Sequence, residues 1–236
     1  MSNLILRHEH KYYINYFEYE TLSRRLKHVL KRDKHADGNG EYHIRSLYFD
    51  DLYNSALFEK QAGMLNRKKY RIRIYNLQDG IIKMEKKSKR DRFISKESVQ
   101  ITLDEYRRVM KNDVLFMKDS RYPLLREFYI DSVLKGYRPK VIVDYVREAF
   151  VWGTGNIRIT FDKKLRTGLF NTDIFDGNVA TINALDEPSM ILEIKFDHFL
   201  PSFIKDILQI GSSERYAISK YVICRKYTKL NLWEDN

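Results

Sequence analysis

The segment Lys69–Tyr75, Lys-Tyr-Arg-Ile-Arg-Ile-Tyr, constrains the fold of this chain more than any other. Successive side chains of an extended strand point to opposite faces, so Arg71 and Arg73 share one face while Ile72 and Ile74 take the other. A strand with one face in solvent explains this pattern when it is taken alone. The same alternation recurs, however, in residues 83–87, 158–162 and 193–195. The sequence therefore predicts several strands that each have one apolar and one charged face.

The charge balance indicates the class of partner. Forty-three Lys and Arg residues against 32 Asp and Glu give a net charge of +11, which favours a polyanion such as nucleic acid, anionic lipid or a phosphate-rich small molecule. Cys224 is the single cysteine, so no intramolecular disulfide is expected and a reducing compartment is favoured. No apolar run or signal-peptide core is found, and we expect a cytoplasmic protein with one domain over residues 1–236.

About eight strands with helices in the longer connections are predicted along the chain. The strands are expected at 7–14, 41–50, 69–75, 83–87, 97–101, 140–152, 157–162 and 190–196. The main helices are expected at 18–31, 103–117, 123–135 and 201–210, with Ser212 or Ser213 capping a last one. Asp79-Gly80 predicts a hairpin turn. The basic stretch 86–96 is expected to be a solvated entrance that draws polyanions in, or simply a charged loop.

These elements predict an α+β fold built on an antiparallel closed β-barrel. Amphipathic helices cover the apolar strand faces from outside, which leaves the charged faces pointing at one another across the barrel. An interior of this kind must stay wet, pair its charges or bind counter-ions, because unpaired buried charges cost several kcal/mol each. Such a tunnel suits a long phosphate chain. The alternative, an ordinary small barrel with an apolar core and outward charges, is not excluded by composition.

Eight short motifs along the chain carry a family resemblance. They are Glu9-x-Lys11, Arg45-Ser-Leu-Tyr-Phe-Asp50, Lys69-Tyr-Arg-Ile-Arg-Ile-Tyr75, Glu85-Lys-Lys87, Tyr145-x-Arg147, Arg158-Ile-Thr-Phe-Asp162, Leu192-Glu-Ile-Lys195 and Ser219-Lys-Tyr221. In this order, over residues 7 to 225, they resemble the polyphosphate polymerase domain of the VTC (vacuolar transporter chaperone) family, one of the triphosphate tunnel metalloenzymes. The resemblance implies a free-standing catalytic domain, without the inositol-phosphate sensing domain and membrane segments of the eukaryotic complex.

The resemblance also implies which side chains bind phosphate and metal. The cations that match the tunnel lining are Lys11, Arg45, Arg71, Arg73, Lys87, Arg147, Arg158 and Lys195. Lys220 resembles a lysine that closes one end of the tunnel, with Tyr221 beside it, and Lys96 is a further candidate. We expect Arg71, Arg73, Arg158 and Lys220 to act on the reacting phosphates. Simple pairing with carboxylates is the alternative for the lining cations, and an ordinary surface lysine is the alternative for Lys220.

Glu193 resembles the carboxylate that holds a divalent cation in this family. Glu9 and Glu85 are its expected supporters, although each is equally suited to pair with a neighbouring lysine, Lys11 or Lys87. Mg²⁺ and Mn²⁺ take one or two carboxylates and complete their shell with water and substrate phosphates. The expected cofactor is therefore Mn²⁺ or Mg²⁺.

The reaction implied is attack by the end of a polyphosphate chain on the γ-phosphate of ATP, with release of ADP. With water as the acceptor, the same tunnel would be an inorganic or nucleoside triphosphatase, and without turnover it would be a polyphosphate-binding module. Nucleic acid is not expected as a partner, because the cations alternate on strands and do not form a surface stripe. The expected ligands are ATP or another triphosphate and inorganic polyphosphate; a membrane-protein partner and the oligomeric state stay open.

Overall fold

The structure, a computed structural model, describes residues 7–91, 93–209 and 214–230. The strands are β1 (Arg7–Ile14), β2 (Lys31–Arg32), β3 (Glu41–Asp50), β4 (Arg67–Tyr75), β5 (Gln78–Arg90), β6 (Phe93–Ile101), β7 (Arg138–Trp152), β8 (Ile157–Thr167), β9 (Ile182–Asn183) and β10 (Met190–Asp197). The α-helices are α1 (Tyr16–Lys27), α2 (Ser55–Gln61), α3 (Leu103–Met110), α4 (Pro123–Lys135), α5 (Ser202–Leu208) and α6 (Lys220–Leu230). None of these helices is long and apolar enough to span a membrane.

The strands pair in the order β1-β10-β8-β7-β3-β4-β5-β6, with β2 beside β7 and β9 beside β8. This confirms an α+β fold on an antiparallel sheet. The predicted closure into a barrel is wrong, because no pairing within the described residues joins β1 to β6. The physical reason at β1 is an irregular segment, 214–219, along its outer edge. The Tyr216 N–H donates to the Lys11 carbonyl at 3.0 Å, and Lys11 Nζ donates to the Ile218 carbonyl at 3.1 Å.

The described residues fall into two compact units, each assembled from three pieces of chain. The first unit lies within Met1–His43, Tyr145–Leu165 and Leu185–Ser219. The second unit lies within Ile44–Asp144, Arg166–Ala184 and Lys220–Asn236. Each unit has its own apolar core.

In the first unit, one face of β1, β8 and β10 packs against α1 and α5. Tyr12 of β1 lies opposite Leu192 of β10, and both are buried together with Leu26 of α1. The helix begins at Tyr16, earlier than predicted, because Asn15 and Glu18 form a capping box. It ends at Lys27, before the short strand β2.

In the second unit, the apolar face of β4 is fully buried beneath α3 and α4. Ile72 and Ile74 have no exposed surface and pack in one cluster with Phe128 of α4. Helix α4 begins at Pro123 and ends at Gly136 in the left-handed conformation, as predicted. Helix α3 is shorter than predicted and stops at Met110, because Asn112 turns left-handed at φ 61°.

Two turn predictions are corrected by the structure. The hairpin between β4 and β5 turns at Asn76-Leu77, where φ is 50° and 56°, whereas Asp79-Gly80 lies inside β5. A two-residue turn with two positive φ angles matches the twist of a hairpin. The basic stretch 86–96 is not a loop but the far end of the β5–β6 hairpin. Ser212 and Ser213 lie outside the described residues.

Helix α2 is capped by side chains that come before its N-cap residue. Asn54 is left-handed and makes no side-chain cap. Instead, the Asp51 carboxylate accepts a hydrogen bond from the Ser55 N–H at 2.8 Å. The fully buried Asp50 carboxylate accepts from the backbone N–H groups of residues 56 and 57 at 2.9 and 3.2 Å, and from the Tyr221 hydroxyl at 2.5 Å.

We predict that Asp50→Ala lowers the free energy of unfolding by about 2–4 kcal/mol, because it leaves buried N–H donors without an acceptor. Urea unfolding followed by circular dichroism measures the change. Asp79→Ala, at an exposed position of β5, serves as the control and should change stability by less than about 0.5 kcal/mol. Equal small losses for the two variants would contradict the capping role.

Carboxylates of α4 hold two lysines on the apolar side of the sheet. Lys68 Nζ lies 2.9 Å from Glu127 Oε1 and 2.5 Å from Asp131 Oδ2. Lys86 also pairs with Glu127, and its Nζ lies 2.6 Å from Glu97 Oε1. Burial opposes ionisation of Glu127, but the hydrogen bonds from Lys86 and Lys68 outweigh it and lower the pKa of this carboxyl to about 2.

We predict that Glu127→Gln destabilises the protein at neutral pH by an amount on the order of 1 kcal/mol, modest because the carboxylate is partly exposed. Since the folded pKa is depressed, this stabilisation is complete above the unfolded pKa near 4.5 and disappears as the pH falls towards about 2. Urea unfolding at several pH values should show the two proteins converging in acid. Glu20→Gln, which removes an exposed helical pair with Arg24, is the control; a pH-independent difference would refute the assignment.

Candidate active site

The charged side chains predicted for the site occupy one face of the sheet in each unit, and each face is described by itself. In the first unit, Glu9 lies opposite Lys195 and Lys11 opposite Glu193 across β1 and β10. Directly opposed residues share a face, so these four side chains lie together. The other face of the same strands is the apolar core. We call this set, continued on β8 by Arg158, Thr160 and Asp162, the first-unit polar face.

Lys11 and Lys195 bracket the two carboxylates of this face. Lys11 Nζ lies 2.7 Å from Glu9 Oε1 and 3.5 Å from Glu193 Oε2, and Lys195 Nζ contacts the other oxygen of Glu193. Burial lowers the pKa of Lys11, but Glu193 and Glu9 outweigh it and raise that pKa above its usual value. Burial dominates for Lys195, helped by the charge of Arg147, and lowers its pKa to about 8.

Arg147 forms an ion pair with Asp162, a carboxylate to which the sequence analysis assigned no role. Its Nε and Nη2 donate to the two oxygens of Asp162 at 2.6 and 2.8 Å, and both residues are buried. Burial lowers the pKa of the guanidinium, but the Asp162 charge outweighs it and holds the pKa well above its usual value. The signal was present in the sequence, because Asp162 alternates with Arg158 on one strand. Binding of phosphate by Arg147 therefore stays a prediction, and two of its N–H groups already donate to Asp162.

Arg158 and Thr160 offer unsatisfied polar atoms on the first-unit polar face. Arg158 Nη2 lies 2.6 Å from Asp33 Oδ2 and donates to the Tyr42 hydroxyl at 2.7 Å. Its Nε and the Thr160 hydroxyl are buried, yet neither has a hydrogen-bond partner among the described residues. Buried polar groups are normally satisfied, so these atoms indicate that a polar ligand or water completes this face.

In the second unit, Arg71 and Glu85 form the centre of a second charged face. Arg71 Nε and Nη2 lie 2.7 and 2.6 Å from Glu85 Oε2, and Lys96 Nζ lies 2.6 Å from the other oxygen. Burial opposes ionisation of Glu85, but Arg71, Arg73 and Lys96 hold its pKa well below its usual range. Glu85 is therefore an anion already bound by cations. We call these residues, with Ser46, Tyr48, Lys69, Lys83 and Lys87, the second-unit polar face.

Tyr48 and Ser46 position the two arginines of β4 and were missed by the sequence reasoning. Arg71 Nη1 donates to the Tyr48 hydroxyl at 2.7 Å, and Arg73 Nε donates to the Ser46 hydroxyl at 3.0 Å. Burial raises the pKa of Tyr48, but Arg71 and Arg73 outweigh it and the pKa is lowered. The arginine planes are thus fixed before any ligand binds, which suits bidentate contact with phosphate oxygens.

Arg45 lies on the other side of the sheet from Arg71 and Arg73. It is opposite Ile74 in the β3–β4 register and is buried at 4% exposure. Its Nε lies 2.8 Å from Asp144 Oδ2, and its Nη1 donates to the Asp176 carbonyl at 2.6 Å. These contacts are structural, so we do not keep Arg45 among the proposed phosphate-binding residues.

Tyr221 and Lys220 stand at the start of α6. The Tyr221 hydroxyl is used by Asp50, and its ring stacks on Tyr48 with centroids 5.0 Å apart. Tyr221 therefore supports the face and does not offer its hydroxyl to a ligand. Lys220 contributes to the lowered pKa of Tyr48, which indicates that its charge acts on the second-unit polar face.

Two of the three predicted metal carboxylates, Glu9 and Glu193, come together in the first unit, and Glu85 belongs to the second unit. Glu9 and Glu193 share the Lys11 ammonium, whereas Glu85 is bound by Arg71 and Lys96. No three acidic, His or Cys side chains in the described part of the chain are arranged to hold a metal ion. A pair of carboxylates fits Mg²⁺ or Mn²⁺ when substrate phosphates supply further ligands. The buried Thr160 hydroxyl opposite Glu193 fits a hydrated ion there.

Comparison with known proteins identifies the family. The family model of the VTC domain matches residues 6–229. The chain belongs to the VTC domain family. No curated protein matches this VTC domain in sequence.

Solved structures share the fold of this VTC domain at low identity. PH1819 from Pyrococcus horikoshii OT3 has a TM-score of 0.50 at 12% identity, covering 94% of this chain and 99% of that one. HpAC1 from Hippeastrum, a proposed adenylyl cyclase described as having a dominant triphosphatase activity, has a TM-score of 0.53 at 15% identity and coverages of 93% and 95%. A proposed adenylate cyclase from Bacillus halodurans, bh2851, has a TM-score of 0.51 at 12% identity and coverages of 91% and 96%. Identities this low establish a shared fold and not a shared activity.

We predict that Glu193→Gln weakens Mn²⁺ binding in the presence of tripolyphosphate at least roughly tenfold, because it removes an anionic oxygen ligand. Glu9→Gln should weaken binding less. Calorimetric titration or the electron paramagnetic resonance signal of free Mn²⁺ measures the affinity. Glu214→Gln, at an exposed position, is the control. Unchanged Mn²⁺ affinity in Glu193→Gln would remove this residue from the metal site.

Proposed function

We propose that this VTC domain is a polyphosphate polymerase that transfers the γ-phosphate of ATP to the end of an inorganic polyphosphate chain and releases ADP. The observation that carries the proposal is the surplus of fixed cations on the second-unit polar face, in a member of the VTC domain family. Arg71, Arg73, Lys69, Lys83, Lys87 and Lys96 share this face with Glu85.

Phosphoryl transfer depends on alignment and charge neutralisation more than on a protein nucleophile. We assign neutralisation of the equatorial oxygens of the transferred phosphate to Arg71, Arg73, Arg158 and Lys220. Lys11, Lys87, Lys96, Arg147 and Lys195 are assigned to binding the rest of the triphosphate and the chain. Because Ser46, Tyr48, Tyr42 and Asp33 hold the arginines, little reorganisation is needed when the charge moves.

The proposed metal, Mg²⁺ or Mn²⁺, would be held by Glu193 with Glu9 and would supply positive charge to phosphate oxygens. The residues around it hold the carboxylates in place. Lys11 and Lys195 contact the two oxygens of Glu193 and orient it, and the hydroxyl of Thr160 lies on the same face. Glu85 is assigned a different role, that of orienting Arg71 and Lys96.

Hydrolysis of triphosphate is the second candidate function. It is favoured by the shared fold with HpAC1, the Hippeastrum protein described as a triphosphatase. The same cations would neutralise the same phosphates, and water would replace the chain end as acceptor. A polyphosphate-binding module without turnover is the third candidate. The products of the reaction distinguish all three.

We predict that the purified protein, incubated with ATP and Mn²⁺ or Mg²⁺, with and without a short polyphosphate primer, forms polyphosphate in step with ADP. Gel electrophoresis with a polyphosphate stain and an ADP assay measure the two products. Arg73→Ala should lower the rate by about a hundredfold or more, because it removes fixed positive charge from the transition state. Glu193→Ala should do the same through the metal.

Arg107→Ala, at an exposed position of α3, is the matched control and should keep the full rate. Free phosphate without polyphosphate would replace the polymerase with a triphosphatase. If neither product forms but the protein still binds polyphosphate, the function would be that of a polyphosphate-binding module without turnover.

A further inference from the structure

The first-unit polar face changes from charged to aromatic towards the end of β1. Glu9, Lys11 and Tyr13 occupy alternate positions of this strand and therefore share the face. Glu9 and Lys11 lie opposite charged residues of β10, whereas Tyr13 lies opposite Ile191, which is fully buried. Tyr13 follows Lys11 by two residues, a rise of about 7 Å along the strand. The sequence analysis assigned no role to this tyrosine.

A second tyrosine, from the irregular segment 214–219, packs against Tyr13. The ring centroids of Tyr13 and Tyr216 are 5.3 Å apart, and the ring planes are tilted by 58°. Tyr13 is 40% exposed and Tyr216 is 46% exposed, so each residue keeps a large accessible surface. We call these two side chains the tyrosine platform. It offers aromatic surface directly beside the charged rows of the face.

The platform is joined to the backbone that carries Lys11. The Tyr216 N–H donates to the Lys11 carbonyl at 3.0 Å. Lys11 Nζ donates to the carbonyl of Ile218, a buried residue of the same segment, at 3.1 Å. These two hydrogen bonds fix the segment along the outer edge of β1. The two rings and the lysine ammonium are therefore held close together before a ligand binds.

The charge of Lys11 acts on the platform. Burial raises the pKa of Tyr13, and the Lys11 ammonium opposes this effect. Lys11 also contacts Glu9 and Glu193, so a cation, two carboxylates and aromatic surface meet at this end of the face. A nucleoside triphosphate has matching parts, because its phosphates require charge and its base offers a flat aromatic surface. An inorganic triphosphate has no group that an aromatic ring would bind.

We propose that Tyr13 and Tyr216 form a stacking site for the base of a nucleoside triphosphate whose phosphates lie at Lys11. The class of ligand rests on the proposed function, since the polymerase and a nucleoside triphosphatase would both take a nucleoside triphosphate. Stacking on an aromatic ring is favourable for every base and discriminates little between bases. The platform therefore distinguishes a nucleoside triphosphate from an inorganic triphosphate more than it distinguishes one base from another.

Binding by the intact protein tests the platform, with β,γ-imido-ATP and inorganic tripolyphosphate as the two probes in one Mg²⁺ buffer. The first probe carries a base, and the second does not. In Tyr13→Ala, the affinity for β,γ-imido-ATP should fall roughly tenfold, because a stacking surface is lost. The affinity for tripolyphosphate should stay within about twofold of wild type, because it makes no stacking contact. Isothermal titration calorimetry measures both affinities.

A conservative variant and a matched control separate stacking from other effects. Tyr13→Phe keeps the ring and should retain the affinity for β,γ-imido-ATP within about twofold. Tyr53→Ala removes a tyrosine of the second unit that is 80% exposed, and it should change neither affinity. Thermal unfolding verifies that each variant is folded, and retained binding of tripolyphosphate verifies that the charged rows of Tyr13→Ala are intact.

Several outcomes would overturn the platform. They are equal losses for the two probes in Tyr13→Ala, no loss for either probe, or an equal loss of β,γ-imido-ATP affinity in Tyr13→Phe or in Tyr53→Ala. Wild-type protein should also bind β,γ-imido-GTP within about threefold of β,γ-imido-ATP, because stacking discriminates little between bases. A preference of more than roughly tenfold for either purine would contradict stacking as the means of recognition.

The outcome for the platform is separate from the outcome for the proposed reaction. Binding of β,γ-imido-ATP that depends on Tyr13, in a protein that makes no polyphosphate from ATP, would keep the platform and reject only the polymerase. Synthesis of polyphosphate from ATP, together with unchanged β,γ-imido-ATP affinity in Tyr13→Ala, would keep the polymerase and overturn the platform.

Discussion

Electrostatic repulsion between neighbouring cations determines which other residues the polar faces of this protein need. Isoleucines on one side of β4 fix the strand against α3 and α4, and this obliges Arg71 and Arg73 to share the other side. Once there, each arginine has to be held in place and compensated. Tyr48 and Ser46 hold the guanidinium groups by neutral oxygens, and Glu85 supplies one negative charge. In the proposed function these arginines neutralise phosphate, which links the packing of the core directly to the chemistry of the face.

The polar faces of the two units differ in how many carboxylates stand among their cations. On the first-unit polar face, Glu9, Glu193 and Asp162 stand among Lys11, Lys195 and the arginines, so that charges of both signs alternate. On the second-unit polar face, Glu85 stands among many cations. The first balance suits a divalent cation together with phosphate, and the second suits phosphate alone. The proposed division of labour follows from this difference.

The strand alternation was the part of the structure that the sequence predicted best. Period-two patterns located β3, β4, β7, β8 and β10, and they placed Arg71, Glu193 and Lys195 on polar faces, because the alternation of a strand is a local property. Arg45 was misplaced because its face depends on the register between β3 and β4, which sets it opposite Ile74. The β4–β5 turn was misplaced because the two positive φ angles of the turn are adopted by Asn76 and Leu77 and not by Asp79-Gly80. Barrel closure and the Asp50–Tyr221 bond depend on residues distant in sequence, which no local pattern encodes.

The bond between Tyr221 and Asp50 joins residues that are 171 positions apart in the chain. The second unit takes its last piece from α6, and the first unit is also assembled from three separate pieces. During synthesis, the Asp50 carboxylate therefore lacks its Tyr221 partner until α6 has left the ribosome. Domains otherwise tend to fold as they emerge, N-terminal part first. In this protein β4, which carries Arg71 and Arg73, is made early, but the contact of Tyr221 with Asp50 forms only after α6 has been made.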